Sequence, residues 1–460
     1  MAWAARSQRF LAGLATIGAL GCSSAFWNSK IYADNEAPAS NNESQQKKWD
    51  PLVNHNWMAC GIGGWHSTKV SRYDYASLPN RADRYTSLAF SAVRMNHGPN
   101  WVYTAISDGI RGWEASVFVY KSLIPTLRSI LESLMAKHTT QLGDPDEIHP
   151  SAKLEKEVPS GELDQGLKRA FSNVEHGIIN SSTSEAPNAY PLASAITGAT
   201  ATVAFYDDET KILKIAHVGD ARAVLGRRVE GEDGSHHLEV EVLTSDHTSV
   251  NLSEQARLGN THTAEEVSII RKYIGRDVTR AFGLAMCKWG QDVQERMHRE
   301  YMGEPPLRGI PSTTMTITTN SSDENTLQSY LTAEPEITTV KMGPDDFLIL
   351  GSYGLWKSLT SEEAVGLVET WLSRKCFNLN GPIMEPTEEH FVERDTLPVR
   401  LPDESEDDTT WYKRWNLPKR FICVDENAGV HLVRNALGGA HRAFTEGLVM
   451  VPHPFCANNR

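Results

Sequence analysis

Two runs, Thr200–Tyr206 and Lys211–Val218, flank the polar tetrapeptide Asp207-Asp208-Glu209-Thr210. Strand-forming residues on both sides of a short acidic break predict a β-hairpin, so this chain has to build antiparallel sheet. The segments around it extend that constraint. Trp101–Ser107 (WVYTAIS) is aromatic and β-branched and runs into Asp108-Gly109, a strand entering a turn. Ala221–Arg227 and Leu238–Leu243 continue the β pattern, and Phe347–Ser352 (FLILGS) has the composition of a buried strand. Helical spacing appears between these runs. Val117, Val119, Leu123, Leu127, Ile130, Leu131 and Leu134 line one face of Ala115–Leu134. Ser361–Trp371 follows a capping-type start at Thr360, and Val430–Leu437 stops at Gly438-Gly439. Strand clusters separated by helical pairs predict an α+β fold and not alternating βαβ units.

The chain has 460 residues, 40% hydrophobic and 22% charged, which suits a folded globular protein and excludes a disordered one. Its net charge of −13 argues against nucleic acid as a partner, because phosphate binding requires clustered cations. The cysteines Cys22, Cys60, Cys287, Cys376, Cys423 and Cys456 show no CxxC spacing, so neither a disulfide framework nor a zinc site is read from them. His236-His237 and His298 lack ligand spacing and read as solvated loop.

Residues 1–33 hold Arg6, Arg9 and Lys30 and no acid, around an uncharged stretch from Phe10 to Trp27. A mitochondrial presequence, a secretory signal, a membrane anchor and an untargeted extension all compete here. Asn35–Lys48 is a polar linker by composition. Residues 1–45 are thus expected to be a targeting segment with its linker, and 46–460 the folded domain. Polar insertions fall at 142–164, 284–327 and 378–408. The acidic run Asp403–Asp408 reads as a solvated loop.

Five stretches then stand in a telling order: Thr197–Phe205 (TGATATVAF), Ile215–Gly226 (IAHVGDARAVLG), Leu243–His247 (LTSDH), Arg280–Gly283 (RAFG) and Phe347–Trp356 (FLILGSYGLW). In this order and spacing they resemble the PP2C family of metal-dependent Ser/Thr protein phosphatases. Arg72–Pro79 (RYDYASLP), Tyr330–Ile337 (YLTAEPEI) and Asp425–Gly439 (DENAGVHLVRNALGG) are similar to its mitochondrial pyruvate dehydrogenase phosphatase branch, especially the fungal members. The resemblance implies a four-layer αββα sandwich with two central antiparallel sheets, here spanning about Pro51 to Gly439. It also implies hydrolysis of phosphoserine and phosphothreonine by two Mg²⁺ or Mn²⁺ ions, and a mitochondrial location.

Two divalent ions clamping a water need several carboxylates around them. The family takes these from an acidic pair, an Asp-Gly-His-Gly-Gly turn, an Asp in a Ser-Asp-Gly-Leu-Trp turn, and an Asp near the last strand. Within Ser107–Gly112 (SDGIRG), the Asp108 carboxylate and the Gly109 carbonyl match the second element as potential metal ligands; Ile110 and Arg111 replace its His and Gly. At the acidic pair, a gapless register puts Tyr85, Thr86 and Ser87 in place of the acids and Leu88 in place of a His. A shifted register offers Asp83, which between Arg81 and Arg84 reads as a surface turn. In Ser352–Trp356, Tyr353 stands where the ligand Asp belongs, a phenol that stays neutral at pH 7, and Lys357 adds a cation. The last element has no counterpart: Asp425 and Glu426 read as a helix start, Leu284 replaces the Asp that follows RAFG, and Leu448–Val451 is expected to shorten or replace the terminal strand. Asp220 is kept and reads as structural.

Three functions follow as expectations. The first is a pseudophosphatase acting by binding a protein partner, such as a phosphoprotein or a pyruvate dehydrogenase component, with no or weakly held Mg²⁺ or Mn²⁺. The second is a divergent enzyme using a metal bound through few carboxylates. The third is a reused fold in which Asp108, Arg111 and Tyr353 supply metal-free acid–base groups. Membrane association is expected only through the N-terminal segment.

Overall fold

The chain divides into Met1–Lys47 and Lys48–Arg460. The computed structural model describes residues 62–66, 69–74, 86–94, 100–140, 158–182, 189–230, 236–259, 262–301, 305–308, 330–376, 385–403 and 405–450. The expected targeting segment, Asp83 and Tyr85 lie outside the described residues, as do Cys22, Cys60 and Cys456.

The predicted hairpin forms the centre of one sheet. Strands β1 (Ile62–His66), β2 (Lys69–Asp74), β3 (Thr86–Arg94), β4 (Asn100–Ile110), β5 (Gly198–Asp207) and β6 (Ile212–Val218) are followed by β7 (Arg222–Glu230) and β8 (His236–Val242). Later come β9 (Phe282–Gly283), β10 (Glu336–Lys341), β11 (Phe347–Gly351), β12 (Phe391–Glu393) and β13 (Arg420–Ile422). One sheet runs β10-β6-β5-β4-β3, with β9 paired to β5; the other runs β2-β1-β11-β7-β8. Every pairing within these two sheets is antiparallel.

Residue alternation along the strands separates two kinds of core. Ile106, Ala204, Leu213, Ile215, Ala223, Leu225, Leu348 and Leu350 face the space between the sheets and form one buried cluster. Trp101, Tyr103, Val203 and Phe205 point to the other face of the first sheet. There they meet α1 (Glu114–Thr140) and α2 (Ser160–Ser182) through Val119, Leu123, Leu127, Leu167 and Phe171. On the outer face of the second sheet, Val224, Phe347 and Ile349 pack on α8 (Ser361–Ser373) and α10 (Ala428–Ala436) through Val365, Val368, Trp371 and Leu432. Helix, sheet, sheet and helix are thus four layers, the α+β sandwich the resemblance implies. Each fully buried Leu or Phe in these layers contributes roughly 1.5–3 kcal/mol.

The remaining helices are α3 (Ala189–Ile196), α4 (Leu252–Gly259), α5 (Ala264–Ile274), α6 (Gln291–Tyr301), α7 (Tyr353–Trp356), α9 (Trp411–Trp415) and α11 (Arg442–Met450). The start expected at Thr360 is a capping box: its hydroxyl accepts from Glu363 N (3.1 Å) and Glu363 accepts from Thr360 N (3.0 Å). No helix among the described residues is long and apolar enough to cross a membrane.

Three local readings need correction. Leu448–Met450 ends the helix α11 and is not a strand; Leu448 sits with Leu437 and Phe444 in a small cluster that helical spacing creates. Helix α10 starts from Asn427, whose side chain accepts from Val430 N. Asp425 is instead a buried acceptor of Arg434, whose Nε reaches Oδ2 and whose Nη2 reaches Oδ1, each at 2.8 Å. The acidic run Asp403–Asp408 is not simply solvated, because Asp407 takes Lys419 Nζ at 3.1 Å and Asp408 takes Arg222 at 3.2 Å. Lys419, itself nearly buried, also binds Glu363 at 2.8 Å. Cys376 and Cys423, distant in sequence and both free thiols, have their sulfurs 2.7 Å apart inside the helix-side core.

Of the three polar insertions, Ser160–Asp164 belongs to α2, Gln291–Tyr301 forms α6, and Phe391–Glu393 pairs with β13.

Candidate active site and its internal cation

Three strand ends meet where the resemblance puts the metal site. Asp108 is near the end of β4, in register with Thr86 of β3 and Thr200 of β5. Alternation puts it on the inter-sheet side with Ile106. Ser87 pairs with Ser107. Gly109 continues the strand opposite Ala199. A Cβ there would lie 2.3 Å from the Gly112 carbonyl oxygen, so this glycine is required by a close backbone approach. Asp220 lies in the connection between β6 and β7, and Tyr353 opens α7 directly after β11.

The residue that joins them is Arg276, which the motif reading had not singled out. Helix α5 ends in Gly275, whose left-handed backbone (φ 68°) reverses the chain and delivers the next side chain into the site. Arg276 donates Nε to Asp220 Oδ2 at 2.6 Å, Nη2 to Asp220 Oδ1 at 2.5 Å, and Nη1 to Asp108 Oδ2 at 2.9 Å. Its Cζ lies 4.5 Å from the centre of the Tyr353 ring, and Lys357 Nζ lies 5.1 Å from the same ring. Burial lowers the pKa of the guanidinium, but Asp220 and Asp108 outweigh it and hold the group protonated. Burial pushes the carboxyl of Asp220, 1% exposed, up to about 6 even though Arg276 opposes the rise. Asp220 is thus a buried acid clamped by a cation of the chain itself.

A second guanidinium repeats the arrangement at the rim. Arg222 donates Nε and Nη2 to the two oxygens of Asp246 at 2.8 and 2.9 Å, and reaches Asp408. Asp246 comes from the LTSDH stretch. Its neighbour His247 stacks on His217 with centroids 4.8 Å apart. Gly219 N donates to His247 Nδ1 and Gly219 O accepts from His217 Nε2, so hydrogen bonding sets both tautomers. Burial pulls both imidazoles below their ordinary range, keeping them neutral.

The other expected site residues are placed as follows. Arg111 takes a left-handed backbone (φ 63°) and sets its guanidinium 4.1 Å from the Tyr273 ring centre, with Nη1 on the Tyr273 carbonyl. Leu284, at the family's Asp position after RAFG, is left-handed (φ 51°) and buried among Ile110, Ile274 and Val278. His237 and His298 are exposed. Among the described residues no group of three or more His, Cys, Asp or Glu is placed to hold a metal ion.

These residues do not fit a two-metal centre. The Asp108 carboxylate already binds a guanidinium, a phenol stands in for the second acid, an ammonium approaches the phenol, and leucine replaces a third acid. Hard divalent cations need clustered oxygen donors, and here each described acid of the site, Asp108, Asp220, Asp246 and Asp408, holds an arginine of the chain itself.

The sandwich and its motif order nevertheless define the class. The family profile of Protein phosphatase 2C matches residues 94–382, and the chain belongs to that family. It is 31% identical over 373 residues to a protein phosphatase 2C homologue of Schizosaccharomyces pombe, covering 78% of this chain and 71% of that protein. It is 26% identical over 419 residues to the mitochondrial [pyruvate dehydrogenase [acetyl-transferring]]-phosphatase 1 of Saccharomyces cerevisiae, covering 85% of this chain and 67% of that protein. Among solved structures it is similar to the serine-threonine phosphatase 2C of Toxoplasma gondii, at 17% identity and a TM-score of 0.41, over 71% of this chain and 87% of that one.

Proposed function

We propose that this chain is a pseudophosphatase: a PP2C sandwich that binds a protein partner without hydrolysing phosphoserine or phosphothreonine. The observation that carries the reading is Arg276, a fixed cation bonded to Asp108, the one carboxylate that matches the family's ligand positions. A divalent ion at Asp108 would have to share the carboxylate with that bond and sit beside a second positive charge. At 4 Å two unit charges repel by about 4 kcal/mol at an effective dielectric of 20, and a divalent ion doubles this. Tyr353 offers no compensating charge, so two ions would meet too few carboxylates to be held.

The similarity to a pyruvate dehydrogenase phosphatase supports a partner related to that complex, or another phosphoprotein, and a mitochondrial location. The negative net charge supports a partner that is not nucleic acid. The same similarity favours a second reading, an active Mg²⁺- or Mn²⁺-dependent phosphatase of that type.

One experiment separates the two. The purified full chain is titrated with Mn²⁺ by calorimetry and assayed on a phosphothreonine peptide. The expected result is no saturable heat and no metal-dependent phosphate release, with Asp108→Ala behaving as the parent does. Mn²⁺-dependent turnover that disappears in Asp108→Ala would make this an enzyme and overturn the proposal.

A further inference from the structure

Two thiols that no motif connects are brought together in the helix-side core. Helix α8 ends at Ser373; Lys375 then takes a left-handed backbone (φ 52°), and Cys376 turns back toward the sheet. Cys423 directly follows β13, where its N–H donates to the His390 carbonyl at 2.8 Å. Their sulfurs lie 2.7 Å apart. Ordinary non-bonded heavy atoms rest at ~3.5–4.0 Å, and a covalent S–S bond is ~2.05 Å. The pair therefore sits closer than packing alone requires, although the two cysteines are 47 positions apart in sequence.

We propose that Cys376 and Cys423 are a disulfide-forming site, closed by exchange with a low-molecular-weight disulfide such as oxidised glutathione. In the first step the Cys376 thiolate attacks one sulfur of the glutathione disulfide. A protein–glutathione bond forms, the S–S bond breaks, and one glutathione thiolate leaves. In the second step Cys423 loses its proton to solvent and attacks Cys376 Sγ, expelling the second glutathione as thiolate. Two protein thiols are oxidised and one glutathione disulfide is reduced to two thiols.

The order of attack follows from the surroundings. A hydrogen bond from Cys423 favours the Cys376 thiolate, burial opposes it, and Arg374 assists it. The same hydrogen bond, together with burial, holds Cys423 in its thiol form. Cys376 is 5% exposed and Cys423 2%, so the reagent reaches them through local opening of the turn after α8, or before folding is complete. The product would tie the end of α8 to β13, joining the outer helix layer to the small β12–β13 sheet. The site is independent of whether the phosphatase chemistry is present.

The test is disulfide mapping on the full chain. Protein is held in reduced or oxidised glutathione, once folded and once while refolding from urea, then free thiols are alkylated and the protein is digested without reductant. The expected result is a peptide pair joined through Cys376 and Cys423, two hydrogens lighter than the sum, formed in at least one arm and lost on adding dithiothreitol. Cys423→Ser should accumulate a glutathione adduct on Cys376, and the wild-type mapping stands by itself if that variant fails to fold. Both thiols alkylated in both arms, a lasting glutathione adduct in the wild type, or pairing with another cysteine would overturn the proposal.

Discussion

Arg276→Met removes the guanidinium while keeping an unbranched side chain of similar reach. The variant loses both bonds to Asp220 and the bond to Asp108, leaving a nearly inaccessible carboxylate without a counter-charge. Breaking a buried pair from one side costs roughly 3–5 kcal/mol. The cost must depend on pH. Asp220 has its folded-state value raised from 3.8 to about 6, so the stability linked to its protonation is fully present below 3.8 and is lost as pH rises through 6. That linkage amounts to about 3 kcal/mol in the parent at 1.36 kcal/mol per pH unit. Without the guanidinium, which lowers the Asp220 value, the loss deepens and extends above pH 6. Urea unfolding of variant and parent should therefore differ by about 3–5 kcal/mol at pH 7.5. At pH 5, where Asp220 carries its proton, the gap should shrink to the missing hydrogen bonds, about 1–1.5 kcal/mol. Adding Asp220→Asn to the variant should recover most of the loss at pH 7.5. An equal loss at both pH values, or no recovery in the double variant, would refute the view that Asp220 needs Arg276 as its counterion.

Three further outcomes follow from the same structure. His431 is fully buried, and burial lowers its value from 6.5 to about 4; stability is present above 6.5 and falls by about 3 kcal/mol as pH drops towards 4, a slope that His431→Gln should flatten in acid unfolding curves. Lys288, 2% exposed, holds Glu175 at 2.6 Å, so Lys288→Met should cost roughly 3–5 kcal/mol in urea unfolding and Lys288→Met with Glu175→Gln clearly less. Closing the 47-position loop between Cys376 and Cys423 should stabilise the protein by about 4 kcal/mol, read as a higher melting temperature in oxidised than in reduced glutathione.

What could be read before the structure was what neighbouring residues decide. The Thr200–Val218 hairpin, the Thr360–Glu363 cap and the helix after Glu114 each declare themselves within a few positions. Arg276 does not, because it lies 168 positions from Asp108 and 56 from Asp220. Two signals in the sequence could have found it. Gly275 closes a helical stretch immediately before an arginine, and an acid retained at Asp220 in an otherwise stripped site calls for a cation. Leu448–Val451 misled for the opposite reason: a short apolar run suits either strand or helix, and only the packing of Leu448 on Leu437 decides. Asp407 was hidden by averaging, since a run of acids looks solvated until one of them meets a buried lysine.

The tether that carries Arg276 has a consequence for supply. A dissociable ion occupies its site only as far as its concentration exceeds its dissociation constant, so a protein that depends on one is stabilised or loosened by what the medium provides. The charge beside Asp108 and Asp220 is instead encoded one residue past the Gly275 turn and travels with the chain. On the proposed metal-free reading, chelators would have nothing there to withdraw, and metal starvation should leave that junction of the two sheets as it was.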